Sequence, residues 1–328
     1  MTPALSIIIP ARNAQDTIGP LLDSIYMQDF GDFEVLVVDD ASCDATEETA
    51  RKFDIRFFRL SEKSGPSYAR NFGAKKALSE ILVFFDSDVA LKEGVLRKFH
   101  HWLADRTVGA VNGIYDAVPL NKGLVPLYKA VQEQVWFGEI KDERVVIFNT
   151  SVGAIRKGPF LRLGGFNTSY KGAQVEDYDF SYRFAKEASI FLDRTICVGH
   201  NFPYFNKLVT SYFTRSFLWS QLFFRKLKFD ENGTTPRQGL VVMLYAFSVL
   251  STALAFMVHC FFAVGPALFV LATILDRKFI HYAWKRAGSW FAFYTIGMNL
   301  FLSLVILFSA AAGFLRAFIK RISIAARH

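Results

Sequence analysis

The stretch ILVFFDSDV, residues 81–89, runs five consecutive apolar residues straight into two aspartates one residue apart. An apolar run of that length, bounded by polar residues, reads as a strand buried on both faces, the kind found inside a parallel sheet. The chain upstream repeats the theme. Leu5–Ile9, Phe33–Val38 and Ile55–Arg59 are short strand-like runs, separated by helical segments at Ala14–Met27, Asp44–Phe53 and Ser67–Ala77, and Lys92–Leu103 follows as another helix. Strands alternating with helices specify βαβ units and therefore a doubly wound α/β sheet. Such a sheet takes its ligand at the carboxyl ends of its strands, and Asp39, Asp40, Asp86 and Asp88 all fall there.

After about residue 110 the pattern turns mixed, with strands expected at Ala110–Tyr115, Val145–Ile155 and Ser189–Val198 and an acidic segment at 176–179. Residues 206–229 interleave aromatics, among them Tyr212, Phe213, Phe217, Trp219, Phe223 and Phe224, with Lys207, Arg215, Arg225, Lys226 and Lys228. That suits a helix lying at a membrane interface, or equally one packed on the preceding domain. Residues 239–275 and 287–315 contain no Asp, Glu, Lys or Arg. Crossing a bilayer takes about 20 apolar residues, so both stretches are expected to be transmembrane. The first is long enough for a hairpin broken at Gly265-Pro266, and 289–315 adds a further span. Two or three spans both fit, because the basic groups at 277–286 and 316–327 balance under the positive-inside rule. The expected organisation is a domain at 1–205, an amphipathic segment at 206–238, and a membrane region with a basic tail at 239–328.

The balance of 38 basic against 30 acidic residues gives a formal charge of +8, which the flanks of the apolar stretches explain without nucleic acid. The three cysteines have neither metal-type spacing nor a disulfide framework and fit a reducing compartment. The opening MTPALSIIIPARN reads as a strand and not as a secretion signal, so the N-terminal domain is expected in the cytoplasm and the chain in the inner membrane.

Five constellations carry chemistry, and each also has a plain structural reading. Asp86 and Asp88 are hard oxygen ligands suited to Mg²⁺ or Mn²⁺, or else solvated turn aspartates. Asp39-Asp40 can accept from a base imide or a ribose hydroxyl, or can cap the next helix. No G-x-G-x-x-G follows the first strand, which excludes the usual dinucleotide fingerprint. Glu176-Asp177, behind the turn LGGFN at 163–167, either complements a helix dipole or presents Asp177 as a general base. His200 is either a packed histidine or a metal ligand or phosphate contact. Finally, SGPSYARN at 64–71 puts backbone N–H groups and an arginine near an anion, or is an ordinary helix start.

Taken together, LSIIIPARNAQDTI, FEVLVVDDASCDAT, GPSYARNFGA, ILVFFDSDV, GGFN and EDYDFSYRF resemble glycosyltransferase family 2, of the GT-A fold, over about residues 5–200. The resemblance implies a role for each matching position. Pro10, Arg12 and Asn13 would face the nucleotide; Asp40, with Asp39 beside it, would read the base, usually uracil; Arg70 would lie near the diphosphate. Asp86 and Asp88 match the acidic pair that binds donor and metal, and His200 the histidine completing the metal site. Glu176-Asp177 matches the motif holding the catalytic base, Asp177, and Gly153 falls in a loop lining the donor sugar. The implied reaction is a single displacement with inversion, from a nucleotide-sugar, with a UDP-sugar first in line, to a lipid or lipid-linked acceptor. A polyprenyl-phosphate sugar synthase is the alternative enzyme, a nucleotidyltransferase a rival one, and an inactive membrane scaffold the rival outside enzymes. The region TSYFTRSFLWSQLFFRK departs from the Q-x-x-R-W pattern of processive synthases, which argues for transfer of one sugar.

Overall fold

The computed structural model describes residues 2–170, 172, 175–226, 235–255, 257–258 and 262–325. In chain order the elements are β1 (Leu5–Ala11), α1 (Ile18–Tyr26), β2 (Phe33–Asp39), α2 (Thr46–Ala50), β3 (Arg56–Arg59), α3 (Pro66–Lys76), β4 (Ile81–Phe85), β5 (Val89–Leu91), α4 (Val95–Ala104) and β6 (Val108–Tyr115). They continue with α5 (Leu124–Glu139), β7 (Arg144–Val145), β8 (Val152–Arg156), α6 (Lys157–Arg162), α7 (Glu176–Phe184), β9 (Ser189–His200), α8 (Phe205–Lys226), α9 (Pro236–Ala255), α10 (Val264–Leu275) and α11 (Arg277–Ala325). They form two compact units, one of Met1–Asn121 with Ile140–Asn201, the other of Lys122–Glu139 with Phe202–His328. The sequence places 122–139 in the first domain; its helix, α5, belongs to the second unit.

The first unit is built on a mixed sheet in the order β3-β2-β1-β4-β8-β6-β9-β5, with β7 added on β9. β1 pairs in parallel with both β2 and β4, while β8 runs antiparallel between β4 and β6. Side chains alternate faces along a strand. On β1, Leu5, Ile7 and Ile9 pack with Leu21, Leu22 and Ile25 of α1 and Leu96 and Phe99 of α4. Ile8 points the other way, towards α3. There Gly73 is required by space, since a Cβ at that position would lie 2.5 Å from the Ile8 methyl Cγ2. Phe84 of β4 carries a cluster of Phe148, Phe160, Phe166 and Phe180 on the same side, with ring centroids 4.9 to 6.4 Å apart. This aromatic layer fixes the turn and helix that follow α6.

Three local differences from the sequence pattern have visible causes. α4 starts at Val95 and not at Lys92, because Val89–Leu91 is taken up as β5 against β9. The expected strand Val145–Ile155 splits into β7 and β8, since buried Asn112 holds the intervening loop, donating to Ile147 O at 2.7 Å and accepting from Asn149 N at 2.8 Å. α1 starts at Ile18 because Ala14 N and Gln15 N donate to Thr46 Oγ1 and Asp44 Oδ2 and not into a helix.

Glu34 ties the amino-terminal side of this sheet together. Its carboxylate accepts from Ser6 Oγ, from Leu78 N at 2.6 Å and from Arg56. Burial works to raise its pKa, but these bonds outweigh it and hold the carboxyl below its ordinary 4.5. A depressed folded-state pKa contributes stability that is present above the unfolded value and lost as the pH falls through the folded one. Glu34→Gln should therefore lower the thermal midpoint at pH 7 and converge on the wild type below pH 4.5. A deficit that persists unchanged at low pH would assign the effect to packing.

In the second unit, Tyr128 of α5, Leu208 of α8, and Phe279, Phe291, Met298 and Leu302 of α11 share a core. Within it Tyr128 Oη donates to Asn299 Oδ1 at 2.6 Å, and Asn299 Nδ2 to Asp276 Oδ2 at 2.7 Å. α8 packs along α11, with Phe205 stacked on Phe301 and Ser309 Oγ donating to Phe213 O. The apolar stretch 239–275 is divided into α9 and α10, but Gly265-Pro266 does not make the break; it sits in the first turn of α10, where a proline is tolerated. A side chain at Gly265 would meet Thr252 Oγ1 at 2.1 Å, so the glycine lets α10 lie close on α9. α11 is broken at Ala287 and Gly288, the latter at φ +81°. Among the described residues, two helices are long and apolar enough to cross a membrane, Pro236–Ala255 and Arg277–Ile319.

Candidate active site

The carboxyl ends of β1, β2 and β4 come together, as their parallel register requires. Past β1, Arg12 donates to Asp40 O and, at 3.1 Å, to Ala41 O, while Asn13 accepts from Cys43 N at 2.9 Å and its own N–H reaches Ser42 Oγ at 2.9 Å. Both Asn13 (φ +48°) and Ala41 (φ +55°) adopt left-handed backbone. For alanine that conformation costs about 1–2 kcal/mol, so the surrounding hydrogen bonds hold the two loops in a set shape. Pro10 is buried on β1, level with Val38.

The adjacent aspartates do different work. Asp39 is fully buried, accepts from Ser42 N and Oγ, and lies 3.7 Å from Arg59 Nε. Asp40 accepts from Ser64 N at 2.6 Å and Gly65 N at 3.0 Å, which fastens the loop before α3 to the end of β2. Asp39 thus shapes its own turn, and Asp40 joins the two loops.

Arg70 on α3 is the centre of the site. It is only 2% exposed, yet its guanidinium bonds Asp86, lies 3.6 Å from Glu176 and sits 5.9 Å above the Phe166 ring. Burial works to lower its pKa, and the charges of Asp86 and Glu176, the Asp86 bond and the charge of Asp177 outweigh it, so the pKa is raised and the cation is held. Its Nε and Nη1 are buried with no hydrogen-bond acceptor among the described residues. The second oxygen of Asp86 accepts from Ser151 Oγ. Asp86 is therefore engaged on both sides by protein.

Asp88 faces a different partner. Its Oδ1 lies 3.5 Å from His200 Nε2. β5 and β9 pair Val89 with His200, and Asn201 N donates to Asp88 O at 2.9 Å, so backbone on both sides sets this juxtaposition. The imidazole packs on the Tyr115 ring with centroids 4.8 Å apart. An oxygen and a nitrogen so placed can ligate one Mg²⁺ or Mn²⁺. His, Cys, Asp and Glu do not gather in threes among the described residues, which leaves the remaining positions of such an ion to water or substrate oxygens.

The acidic motif is carried by a strapped turn. Gly164 and Gly165 have φ of +77° and +68°, and Asn71 both donates to Phe166 O (2.8 Å) and accepts from Phe166 N (2.9 Å). Arg183 of α7 reaches back to Leu163 O and Gly165 O at 2.6 and 2.8 Å. Glu176, 3% exposed, and Asp177, half-buried, then open α7, where the helix dipole favours negative charge. Asp177 O accepts from Ser181 Oγ at 2.6 Å. Gly153 is not in a loop: it is inside β8, opposite Phe84, and its close contacts are Phe148 and Asn149 O. Ser151, just ahead of that strand, is the residue that reaches Asp86. The sequence offered no signal for Ser151, Asn112 or Tyr115; Asn71 lay within a quoted motif but without a role.

The model of "Glycosyl transferase family 2" matches residues 6–213. An uncharacterised glycosyltransferase of Haemophilus influenzae is 30% identical over 193 residues, 56% of this chain and 63% of that protein. A GalNAc(5)-diNAcBac-PP-undecaprenol β-1,3-glucosyltransferase of Campylobacter jejuni is 37% identical over 100 residues, 29% of this chain and 32% of that one. The chain thus spans less than two thirds of the length of these curated relatives. Among solved structures, a mannosyltransferase of Pyrobaculum calidifontis in complex with GDP-Man and Mn²⁺ superposes with a TM-score of 0.56 at 22% identity, covering 96% of this chain and 88% of its own. The sheet shares the GT-A fold, and with the family model matched over most of its length the chain belongs to glycosyl transferase family 2.

Proposed function

We propose that this chain is a metal-dependent, inverting glycosyltransferase that moves one sugar from a nucleotide-sugar, a UDP-sugar first in line, to a lipid or lipid-linked acceptor at a membrane surface. The observation that carries this is the Asp88–His200 pair, 3.5 Å apart, next to a buried Arg70 that already holds Asp86. Asp88 and His200 would hold Mg²⁺ or Mn²⁺, which when bound offsets the charge gathering on the leaving diphosphate. Arg12, Asn13 and Asp40 shape the wall for the nucleoside, and Asp39 keeps that wall's turn closed. Asp86 anchors Arg70, and Arg70 in turn holds Glu176 at the start of α7. Asp177, beside it, takes the proton from an acceptor hydroxyl.

The acceptor side rests on the second unit. The most apolar windows of Pro236–Ala255 and Arg277–Ile319 are only 22% and 33% buried, which supports helices that face lipid over core helices of a soluble protein. Leu240, Met243, Phe247, Phe293 and Phe308 are each more than 40% exposed, far more apolar surface than water-facing helices carry. A lipid-borne acceptor matches the undecaprenol-linked substrate in the name of the Campylobacter relative.

The test is release of nucleoside diphosphate from a panel of donors by membranes containing the full chain, with mass analysis of the lipid product. Release should stop with chelator and return with Mn²⁺. His200→Ala should raise the Mn²⁺ concentration giving half-maximal activity by about 10–100-fold, the usual scale for damage to a ligand shell. Activity indifferent to both chelator and His200→Ala would sink the metal assignment, and the absence of release from every donor would sink the enzyme.

A further inference from the structure

The second unit contains a cavity of about 410 Å³ where α10 meets the break in α11. Its wall is mostly apolar, with Ile280 beside the two groups that can carry positive charge, Arg277 and His281, both on the side before the break. Before Gly288, the cavity is lined by Arg277, His281 and Trp284; after it, by Ser289, Phe293 and Ile296. Gly288 needs its freedom at φ +81° because of conformation alone, since a side chain there would meet nothing within 4 Å.

The two cationic or protonatable groups make few contacts among the described residues. Among the described residues, Arg277 makes one long contact, 3.5 Å to Ile274 O, and His281 packs by the Trp284 ring, at 5.7 Å. The nearby carboxylates are engaged elsewhere: Asp276 with Asn299, and Glu139 with Arg237 and Lys278. The stretch 277–286 carries Arg277, Lys278, Lys285 and Arg286 and no acid, so its field favours an anion. A guanidinium with free donors suits a phosphate. Beyond the break the wall is apolar, and Phe293 is 69% exposed. Trp284 and Trp290, 50% and 74% exposed, flank the break, and tryptophans so exposed favour the boundary between headgroups and hydrocarbon.

We propose that this cavity binds the phosphate headgroup of an anionic membrane phospholipid. Arg277 and His281 hold the phosphate, Ser289 adds a hydroxyl, and Trp284, Phe293 and Ile296 take the first methylenes of a chain. The volume is that of a small-ligand pocket, enough for a headgroup and not for a whole lipid. The assignment rests on the membrane part of the proposed function. It is independent of the donor and metal residues.

The experiment is native mass spectrometry of the detergent-purified full chain equilibrated with phosphatidylglycerol and phosphatidylcholine together. The wild type should retain phosphatidylglycerol over phosphatidylcholine by about tenfold, because both offer a phosphate but the choline cation of the latter is repelled by the Arg277 guanidinium beside it. Arg277→Gln with His281→Gln should bring the two lipids to parity; both side chains are exposed, so the fold is not at stake. Lys285→Gln with Arg286→Gln, on the same stretch but outside the cavity wall, should keep the preference. Equal loss in this control pair, or no preference in the wild type, overturns the site. Displacement of the lipid by inorganic phosphate at equal concentration would make it a free-anion site and overturn the lipid. A chain that stays in solution without detergent or vesicles defeats the membrane reading itself, an outcome separate from the others.

Discussion

Arg70→Met should lower the unfolding free energy of the first unit by about 3–5 kcal/mol, because it removes the cation and leaves buried carboxylates behind. For a unit of this size that is a fall of roughly 6–20 °C in the thermal midpoint. Methionine keeps most of the volume and the contact with the Phe166 ring, so the loss reports charge more than packing. Glu176 is 3% exposed and lies 3.6 Å from Arg70, while Asp86 keeps Ser151 and some solvent. Most of the penalty should therefore sit with Glu176, and adding Glu176→Gln to Arg70→Met should recover part of it. A double variant no more stable than the single one would place the strain at Asp86. An unfolding free energy within about 1 kcal/mol of wild type, the worth of an ordinary surface pair, would show that Arg70 does not hold this cluster.

That cluster shows how the sequence could reveal positions without partners. The strand β4 was legible to the residue, and β1 and β2 within two, because strands packed on both faces give unbroken apolar runs ending in polar residues. The aspartates at their ends followed from topology alone. What the sequence could not show was the division of labour within each pair: Asp39 closing its own turn while Asp40 bridges to Ser64 and Gly65, and Asp86 facing Arg70 while Asp88 faces His200. Those differences come from which way a side chain leaves the strand end and which loop arrives there, both set by distant pairings such as β5 on β9.

The insertion of β8 between β4 and β6 was equally hidden. Nothing local in VGAIR says that its neighbours are the distant β4 and β6, both far upstream and antiparallel to it. This pairing places Ser151 at Asp86 and takes Gly153 out of the expected loop. α5 was missed for another reason. Its apolar residues face several partners in the second unit, so it lacks the single stripe by which a surface helix is recognised. In the apolar region the length of the stretch gave the helices, but the proline that ought to break one sits harmlessly in a first turn.

Asp177→Asn should lower turnover by about 10²–10⁴-fold, the range for loss of a general base, with the donor's half-saturating concentration little changed. Asparagine preserves the backbone contact from Ser181, which is made to the carbonyl and not to the carboxylate, so the start of α7 should stay in place. Glu176→Gln is the contrasting change. Glu176 faces Arg70 from a buried position, and its loss should act on stability first and on turnover through the placement of α7. A base is needed only where the acceptor must lose a proton. A hydroxyl acceptor requires one; a lipid phosphate arrives already ionised. Measured with each class of acceptor under saturating Mn²⁺, Asp177→Asn therefore separates the two enzymes that the chemistry allows. A large loss with the hydroxyl acceptor identifies transfer to a lipid-linked sugar. Near-wild-type turnover with a polyprenyl phosphate removes Asp177 from the role of base and leaves it to orient the acceptor.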